Sequence, residues 1–405
     1  MTGVDKTSSV LRDIPRGIWA LGFVSMFMDI SSETIHALLP VYLVSVLGTS
    51  TFTVGVIEGV AEATALISRI FSGVVSDWFG RRKLLAAVGY GLAALVKPIF
   101  PLATAVGWLA AARFLDRLGK GIRGAPRDAL IADIAPPQLR GASFGLRQSL
   151  DTVGAVAGPS AAIVLMALTG DDFRAVYWIA VIPALLAFGL IVFAVKEPAR
   201  NPQDVPRAPI RLVDAKRLSA AFWAVVAVWL VLSLARLSEA FLILRAEEVG
   251  LRIALVPLVL VIMNVAYALS AYPAGVLSDR FGRGRLLVLG IALLVVADAV
   301  LALDASVGVV MFGVVLWGLH MGFTQGLVAT LVADAAPVDL RGTAFGALNL
   351  VGGLAMLAAS LLAGALWDYY GPAATFIAGG VIAAGALAGL GLFRNFFKRP
   401  SPETA

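Results

Sequence analysis

An all-α membrane protein of twelve transmembrane helices, arranged as two six-helix pseudo-symmetric halves, is the fold that this sequence predicts. Composition, a train of apolar segments and an internal repeat predict it. Of the 405 residues, 60% are hydrophobic and 14% charged, against about a quarter charged in soluble proteins. With a mean hydropathy of +0.90, that balance excludes a soluble enzyme, a disordered chain and a nucleic-acid binder. One crossing needs about 20 apolar residues, so this length holds roughly 12 crossings and no separate soluble domain.

The apolar segments fall at 16–47, 51–76, 83–105, 107–134, 139–169, 173–195, 218–249, 252–278, 285–304, 306–335, 339–367 and 371–395. Lys and Arg collect in alternate connections: Lys6, Arg12 and Arg16; Arg81, Arg82 and Lys83; Lys196 to Arg217; Arg280, Arg283 and Arg285; Arg394, Lys398 and Arg399. The intervening connections are nearly free of them. By the positive-inside rule both termini and the middle loop are expected in the cytoplasm, with the chain in a plasma (inner) membrane. The start, Met1 to Pro15, runs into an apolar stretch too long for a signal sequence and reads as a retained cytoplasmic tail. Cysteine is absent, so disulfides and thiolate metal sites play no part.

The stretch from Glu197 to Arg217 carries Pro198, Pro202, Pro206 and Pro209 and reads as the linker. The expected division is therefore 1–195, a linker at 196–217, and 218–405. A repeat supports it: Leu130 to Gly145 aligns without gaps to Leu331 to Gly346, with ten identities in sixteen positions. Gly73-Val-Val-Ser-Asp77-Trp-Phe-Gly80-Arg-Arg-Lys83 aligns to Gly275-Val-Leu-Ser-Asp279-Arg-Phe-Gly282-Arg-Gly-Arg285, at an offset of 202 instead of 201. Paired repeats are how many transporters build a site near the membrane midplane.

The Gly-x-x-x-Asp-x-x-Gly-Arg signature after the second and eighth segments resembles the loop motif of the major facilitator superfamily, and the resemblance covers essentially the whole chain. It implies the major facilitator fold and a transporter. It further implies that Gly73, Asp77, Gly80, Gly275 and Asp279 form a conformational latch, with Arg81 and Arg140, or Arg283 and Arg341, as partners. Physically, a spaced glycine pair admits close helix approach, and an aspartate can pair with arginine or cap a helix. Charges that only set topology are the plainer alternative.

The fourth segment carries Arg113, Asp116, Arg117, Lys120, Arg123, Arg127 and Asp128, all within an arc of roughly 140°. Charges at membrane depth are costly, so such a stripe must line water, substrate or partner carboxylates. At offset 201 the tenth segment has Val314, Trp317, Gly318, Met321, Thr324, Val328 and Ala329, with no charge. The stripe therefore reads as a functional specialisation, with Arg113, Asp116, Arg117 and Lys120 expected at substrate. Arg117 to Ala125 resembles the Arg-x-x-Gln-Gly motif of proton-coupled members of the superfamily, with Lys120 in place of glutamine. Arg123 and Arg127 can equally sit at the cytoplasmic mouth.

Carboxylates answer these cations. Asp29, Ser32, Glu33 and His36 share an arc of about 100° on the first segment, and Glu58 and Glu62 share a face of the second. Burial and neighbouring cations act oppositely on a carboxyl, and their balance can place its titration near neutral pH. Asp29 and Glu33 are the leading proton carriers, followed by Glu58 and Glu62; a permanent salt bridge to Arg117 or Lys120 is the alternative. With only His36 and His320 available beside a cationic stripe, no metal or other cofactor is expected. Gly154-Ala-Val-Ala-Gly158-Pro159 resembles the Gly-x-x-x-Gly-Pro motif of antiporters, and physically permits close packing and a bend. Asp151 shares its face.

In the C-terminal half, Arg236, Glu239, Asn264 and Tyr267 add polar groups to an otherwise apolar wall. An ionic wall facing an apolar one suits an amphiphilic organic compound. The expected function is proton-coupled antiport (efflux) of a small amphiphile with an anionic or zwitterionic part, by a monomer in membrane lipid. An importer or uniporter of an organic anion, or a lipid-handling flippase, is the alternative. An enzyme is not expected, because no nucleophile or metal arrangement is recognisable.

Overall fold

The computed structural model describes residues 12–197, 217–303, 306–337 and 340–392. Most of the expected linker at 196–217 and both chain ends lie outside the described residues. The described chain is helical: α1 Arg16–His36, α2 Thr51–Phe79, α3 Arg82–Val96, α4 Val106–Ile134, α5 Arg140–Thr169, α6 Phe173–Phe193, α7 Ala220–Ala235, α8 Glu239–Glu248, α9 Leu258–Phe281, α10 Arg283–Ala302, α11 Val307–Ala335, α12 Arg341–Tyr370 and α13 Pro372–Leu392. Among the described residues, nine helical stretches are long and apolar enough to cross a membrane. Helices α1, α2 and α4 are also long, but they carry the expected acids and the cationic stripe.

Three segments are less regular than their hydropathy suggests. The first ends as α-helix at His36 and continues through a short turn, Leu39–Val41, into a π-turn, Tyr42–Val46. The third pauses at Lys97-Pro98 before a last turn, Ile99–Leu102, as proline cannot donate to the preceding turn. The seventh breaks between α7 and α8. Arg236 closes α7 with an extended backbone, and the Ser238 hydroxyl accepts from Ala240 N to start α8. Arg236 and Glu239, three apart on one expected helix, thus flank a helix break.

Grouped by contact, the described residues form two compact units. The first holds 12–47, 64–197 and 253–261; the second holds 48–63, 217–252 and the described stretches of 262–392. In the first unit, Ile18, Leu21, Val24 and Met28 line one face of α1, at helical spacing. They share a core with Tyr90, Ala93 and Ala94 of α3, Leu130 and Ile131 of α4, and Ala184, Ala187 and Ile191 of α6. Lipid is as apolar as these side chains, so close packing of small residues rather than water exclusion holds such helices together. Gly89 on α3 shows the closeness required: a Cβ there would lie 2.7 Å from both Arg123 N and Gly119 O. Its counterpart Gly290 on α10 faces Thr324 and Phe323 of α11 in the same way.

The duplicated loop resolves into a duplicated ion pair. Arg82 binds Asp133, and 201 residues later Arg283 binds Asp334. Gly80 and Gly282 turn the chain just before, at φ 63° and 90°, a region open to glycine at little cost. Arg81 is the extra residue between Gly80 and Arg82, which accounts for the change of offset from 202 to 201.

Candidate functional site

The α4 stripe divides by burial. Arg113, Asp116, Arg117 and Arg123 are buried, Arg127 and Asp128 half-buried, and Lys120 exposed. A buried charge must find partners, and several are visible. Lys97, absent from the sequence expectations, places Nζ 2.9 Å from Asp116 Oδ1 and donates to Ser32 Oγ at 2.9 Å. Arg123 stacks its guanidinium 4.9 Å above the Tyr90 ring, a cation–π contact. Arg127 donates to Ser25 Oγ at 3.0 Å, and Ser25 meets the Tyr90 hydroxyl at 3.1 Å. Asp128 joins Arg69 at 2.9 Å and Arg127 at 3.1 Å.

Helices α1 and α5 add the acids. Asp29 lies within electrostatic reach of Asp151, Lys120, Arg123 and Glu33. Glu33 lies within reach of Lys120 and Arg117, with His36 Nδ1 3.4 Å from its Oε2. Asp151 pairs with Arg147 at 2.7 Å. The spaced glycines of α5 seat these acids. A Cβ on Gly154 would come within 3.0 Å of the Asp29 Cβ, and one on Gly158 within 2.9 Å of the Glu33 Cβ. Thr34 ties the helices further, donating towards Ile30 O at 2.7 Å and Gly158 O at 3.0 Å. Two i, i+4 pairs, one on each helix, thus lie against each other. Pro159 is buried within the same continuous helix.

The remaining expected residues fall in the second unit. Glu58 is fully buried. Glu62, Glu239 and Tyr267 lie within electrostatic reach of Arg236. With the Gln325 amide oriented to satisfy both groups, its oxygen accepts from Arg236 at 3.2 and 3.3 Å. Asn264 is half-buried on α9. The structure therefore gathers Asp29, Glu33, Arg117, Lys120 and Asp151 in one cluster, and Glu62, Arg236, Glu239 and Tyr267 in another. The N-terminal part of α2 is fastened within the second unit. Asp368 of α12 accepts from Thr51 N and Phe52 N, each at 3.0 Å, and from the Thr51 hydroxyl.

The expected latch is only partly visible. The side chains of Asp77 and Asp279 lie outside the described residues. Arg81, Arg140 and Arg341 are exposed at their helix starts, whereas Arg283 is held by Asp334. The flanking packing differs between the copies. A Cβ on Gly73 would meet the Ala125 Cβ at 3.5 Å, whereas Gly275 has nothing within 4 Å. Gly326 stands where Ala125 stands in the other copy. There a cavity of about 550 Å³ opens, bordered by Tyr272, Gly275, Ser278, Arg283, Gly326 and Thr330. No cluster of three or more His, Asp or Glu side chains among the described residues forms a metal site.

Lys97 and Tyr90 are the site residues that sequence reasoning missed. Lys97 carried a usable signal, a lone cation inside an apolar segment, which by itself calls for a partner. Tyr90 carried none, since an aromatic residue in a membrane helix is ordinary.

Comparisons with known proteins agree with this architecture. The Major Facilitator Superfamily profile matches residues 21–244 and 239–405. An uncharacterised MFS-type transporter of Methanocaldococcus jannaschii is 31% identical over 380 residues, covering 92% of this chain and 93% of that protein. The cis,cis-muconate transport protein of Acinetobacter baylyi is 24% identical, covering 83% and 84%. The crystal structure of a POT family transporter in complex with a thioalcohol-conjugated peptide superposes with a TM-score of 0.78 at 16% identity, covering 95% of this chain and 97% of that one. With the helical fold and the duplicated Arg82–Asp133 and Arg283–Asp334 pairs, these matches establish that the chain belongs to the major facilitator superfamily, as a multi-pass membrane transporter and not an enzyme.

Proposed function

We propose that the protein is a proton-coupled antiporter exporting a small amphiphilic organic compound with an anionic or zwitterionic part. The packing of Asp29 and Glu33 against Gly154 and Gly158, beside Arg117 and Lys120, carries this reading. Two carboxyls within reach of an exposed lysine form a site where proton and substrate anion compete. A proton on either acid weakens its hold on the cations, and a substrate anion replaces the carboxylate as their partner. Arg117 is buried, whereas Lys120 is exposed and can meet the substrate charge. Arg113 and Asp116 support the site from within, Asp116 through Lys97. Arg236, Glu239, Asn264 and Tyr267 are the substrate contacts proposed for the second half. Glu58 and Glu62 are secondary proton carriers.

The working cycle in this reading is alternating access by twelve crossings in two six-helix halves, 1–195 and 218–405, joined by the linker at 196–217. The glycine-aspartate loops act as the latch, both termini face the cytoplasm, and a monomer in lipid of the plasma (inner) membrane suffices. The likeness to a muconate transport protein supports an organic anion as substrate class. It equally favours a second reading, import of an organic anion through the same cluster.

A thermal-shift screen of organic anions, cations and lipids identifies the ligand charge, and proteoliposome flux then tests the coupling. Under an imposed pH gradient the wild type is expected to accumulate the substrate. Accumulation indifferent to that gradient, and to Asp29→Asn with Glu33→Gln, overturns the proposal.

A further inference from the structure

The repeat places a second ionisable group in a setting that transport by Asp29 and Glu33 does not use. Helices α3 and α10 align without gaps from Arg82 and Arg283 onward, and α4 and α11 both start at a valine 201 residues apart. At that offset Lys97 corresponds to Asp298, and its partner Asp116 corresponds to Trp317. Lys97 lies 2.9 Å from Asp116. Asp298 is fully buried, and neither of its carboxyl oxygens has a hydrogen-bond partner among the described residues. Trp317 is fully buried too, and its indole N–H is likewise unpartnered. The charge that answers the cation in the first unit therefore has no counterpart answering the acid in the second.

The surroundings of Asp298 are closed. On the α13 side stand Gly379 and Gly380, and a Cβ on Gly379 would lie 2.9 Å from Asp298 Oδ2 and 3.3 Å from the Ala235 carbonyl. Ala235 is the last residue of α7, directly before the helix break. The ionisable groups on the neighbouring helices hold other partners. From α11 comes His320, whose Nδ1 is engaged by Gly290 O at 2.8 Å. From α8 comes Arg245, which donates to Leu301 O, Leu303 O and Glu248. Arg236 and Glu239 flank the break, and α13 carries no ionisable residue between Pro372 and Leu392. None of them forms an ion pair or hydrogen bond with Asp298 among the described residues. An ionised carboxylate enclosed without a cation is expensive. A closed cradle leaves no room for a hydrated metal ion, whereas a proton needs none.

We propose that Asp298 is a proton-binding site of the second unit, occupied while the α7–α8 break packs against α10 and α13. The neutral acid is then a donor beside the Ala235 carbonyl at the broken helix end. The proton comes from water and returns to it when that packing opens, so the site ties the shape of the break to pH. This inference stands apart from the transport reading, since Asp298 has no part in it.

The test is thermal unfolding of the purified full-length protein in lipid nanodiscs, from about pH 5 to about pH 8. A carboxyl protonated in the folded chain and ionised in the unfolded one adds stability at low pH that is lost as pH rises. The wild-type melting temperature should therefore fall with rising pH more steeply than that of Asp298→Asn, whose amide mimics the neutral acid. At the upper end of the range the variant should equal or exceed the wild type. Should Asn pack poorly, Asp298→Ser removes the same titration with a smaller side chain and should flatten the same slope. A variant less stable than wild type with an unchanged pH slope, or equal to it with no change in slope, overturns the proposal.

Discussion

At position 97 an ammonium is fixed between Asp116 and Ser32, while 201 residues later Asp298 is enclosed beside Trp317 with no cation to meet it. The helices that carry these groups are otherwise alike. Gly89 and Gly290 give the same close approach of α3 to α4 and of α10 to α11, and Arg82–Asp133 and Arg283–Asp334 repeat the same ion pair. Tyr90, which carries the Arg123 guanidinium, becomes Ile291, and Arg123 becomes Thr324. Backbone packing and rim charges are thus common property of the repeat. Charge at membrane depth belongs mostly to the first unit, where Lys97, Arg123 and Arg127 each have an aromatic, hydroxyl or carboxylate neighbour. In the proposed reading, the features shared by both copies serve the scaffold, whereas Arg117 and Lys120, confined to one copy, serve the transported species.

That distinction orders the expected effects of mutation. The largest concerns the unshared cations: Arg117→Ala is expected to reduce substrate flux to background in proteoliposomes while expression stays near wild type. Normal flux would remove Arg117 from the site. Next comes the paired ammonium. Lys97→Met leaves Asp116 buried without its partner and should cost about 3–5 kcal/mol in unfolding experiments. Replacing both partners, Lys97→Met with Asp116→Leu, should recover most of that loss. A double variant as unstable as the single one would show that the pair is not what holds the two helices.

The third effect concerns the seat of the acids. Gly158→Val drives a side chain into Ile30 O and the Glu33 Cβ, and pH-driven flux should fall about tenfold or more, equivalent to ~1.4 kcal/mol. Its counterpart at offset 201, Ala359, already carries a buried Cβ, so Ala359→Gly should leave the coupling intact. The smallest effects belong to the shared pairs. Both are part-exposed, so Arg82→Gln and Arg283→Gln should each cost about 0.2–1 kcal/mol. Unequal costs in chemical unfolding would show that the two copies no longer play the same part.

Much of this was legible in the sequence because it rests on period and charge. The apolar segments, the repeat and the α4 stripe all follow from local composition. Residue type and helical phase pointed Asp29 and Glu33 towards the cations of α4, but not to their seat against Gly154 and Gly158 of α5. What stayed hidden depends on long-range contact. Lys97 and Asp298 are single charges in apolar runs, and only the folded chain shows that one is paired and the other enclosed. The break after Ala235 contains neither glycine nor proline, and Ser238 as a helix start was its only trace. Glu58 groups with the second unit and Asp29 with the first because α2 contributes residues to both, which helical phase cannot report.

The central claim is that substrate and proton exchange at Asp29 and Glu33. Its most direct test is the direction of proton movement when substrate is added outside reconstituted vesicles that enclose a pH-sensitive dye. The account predicts that inward substrate movement drives protons out, and that this signal is lost in Asp29→Asn with Glu33→Gln while ligand binding persists. Protons moving inward with the substrate, or an outward signal unchanged in the double variant, would contradict it.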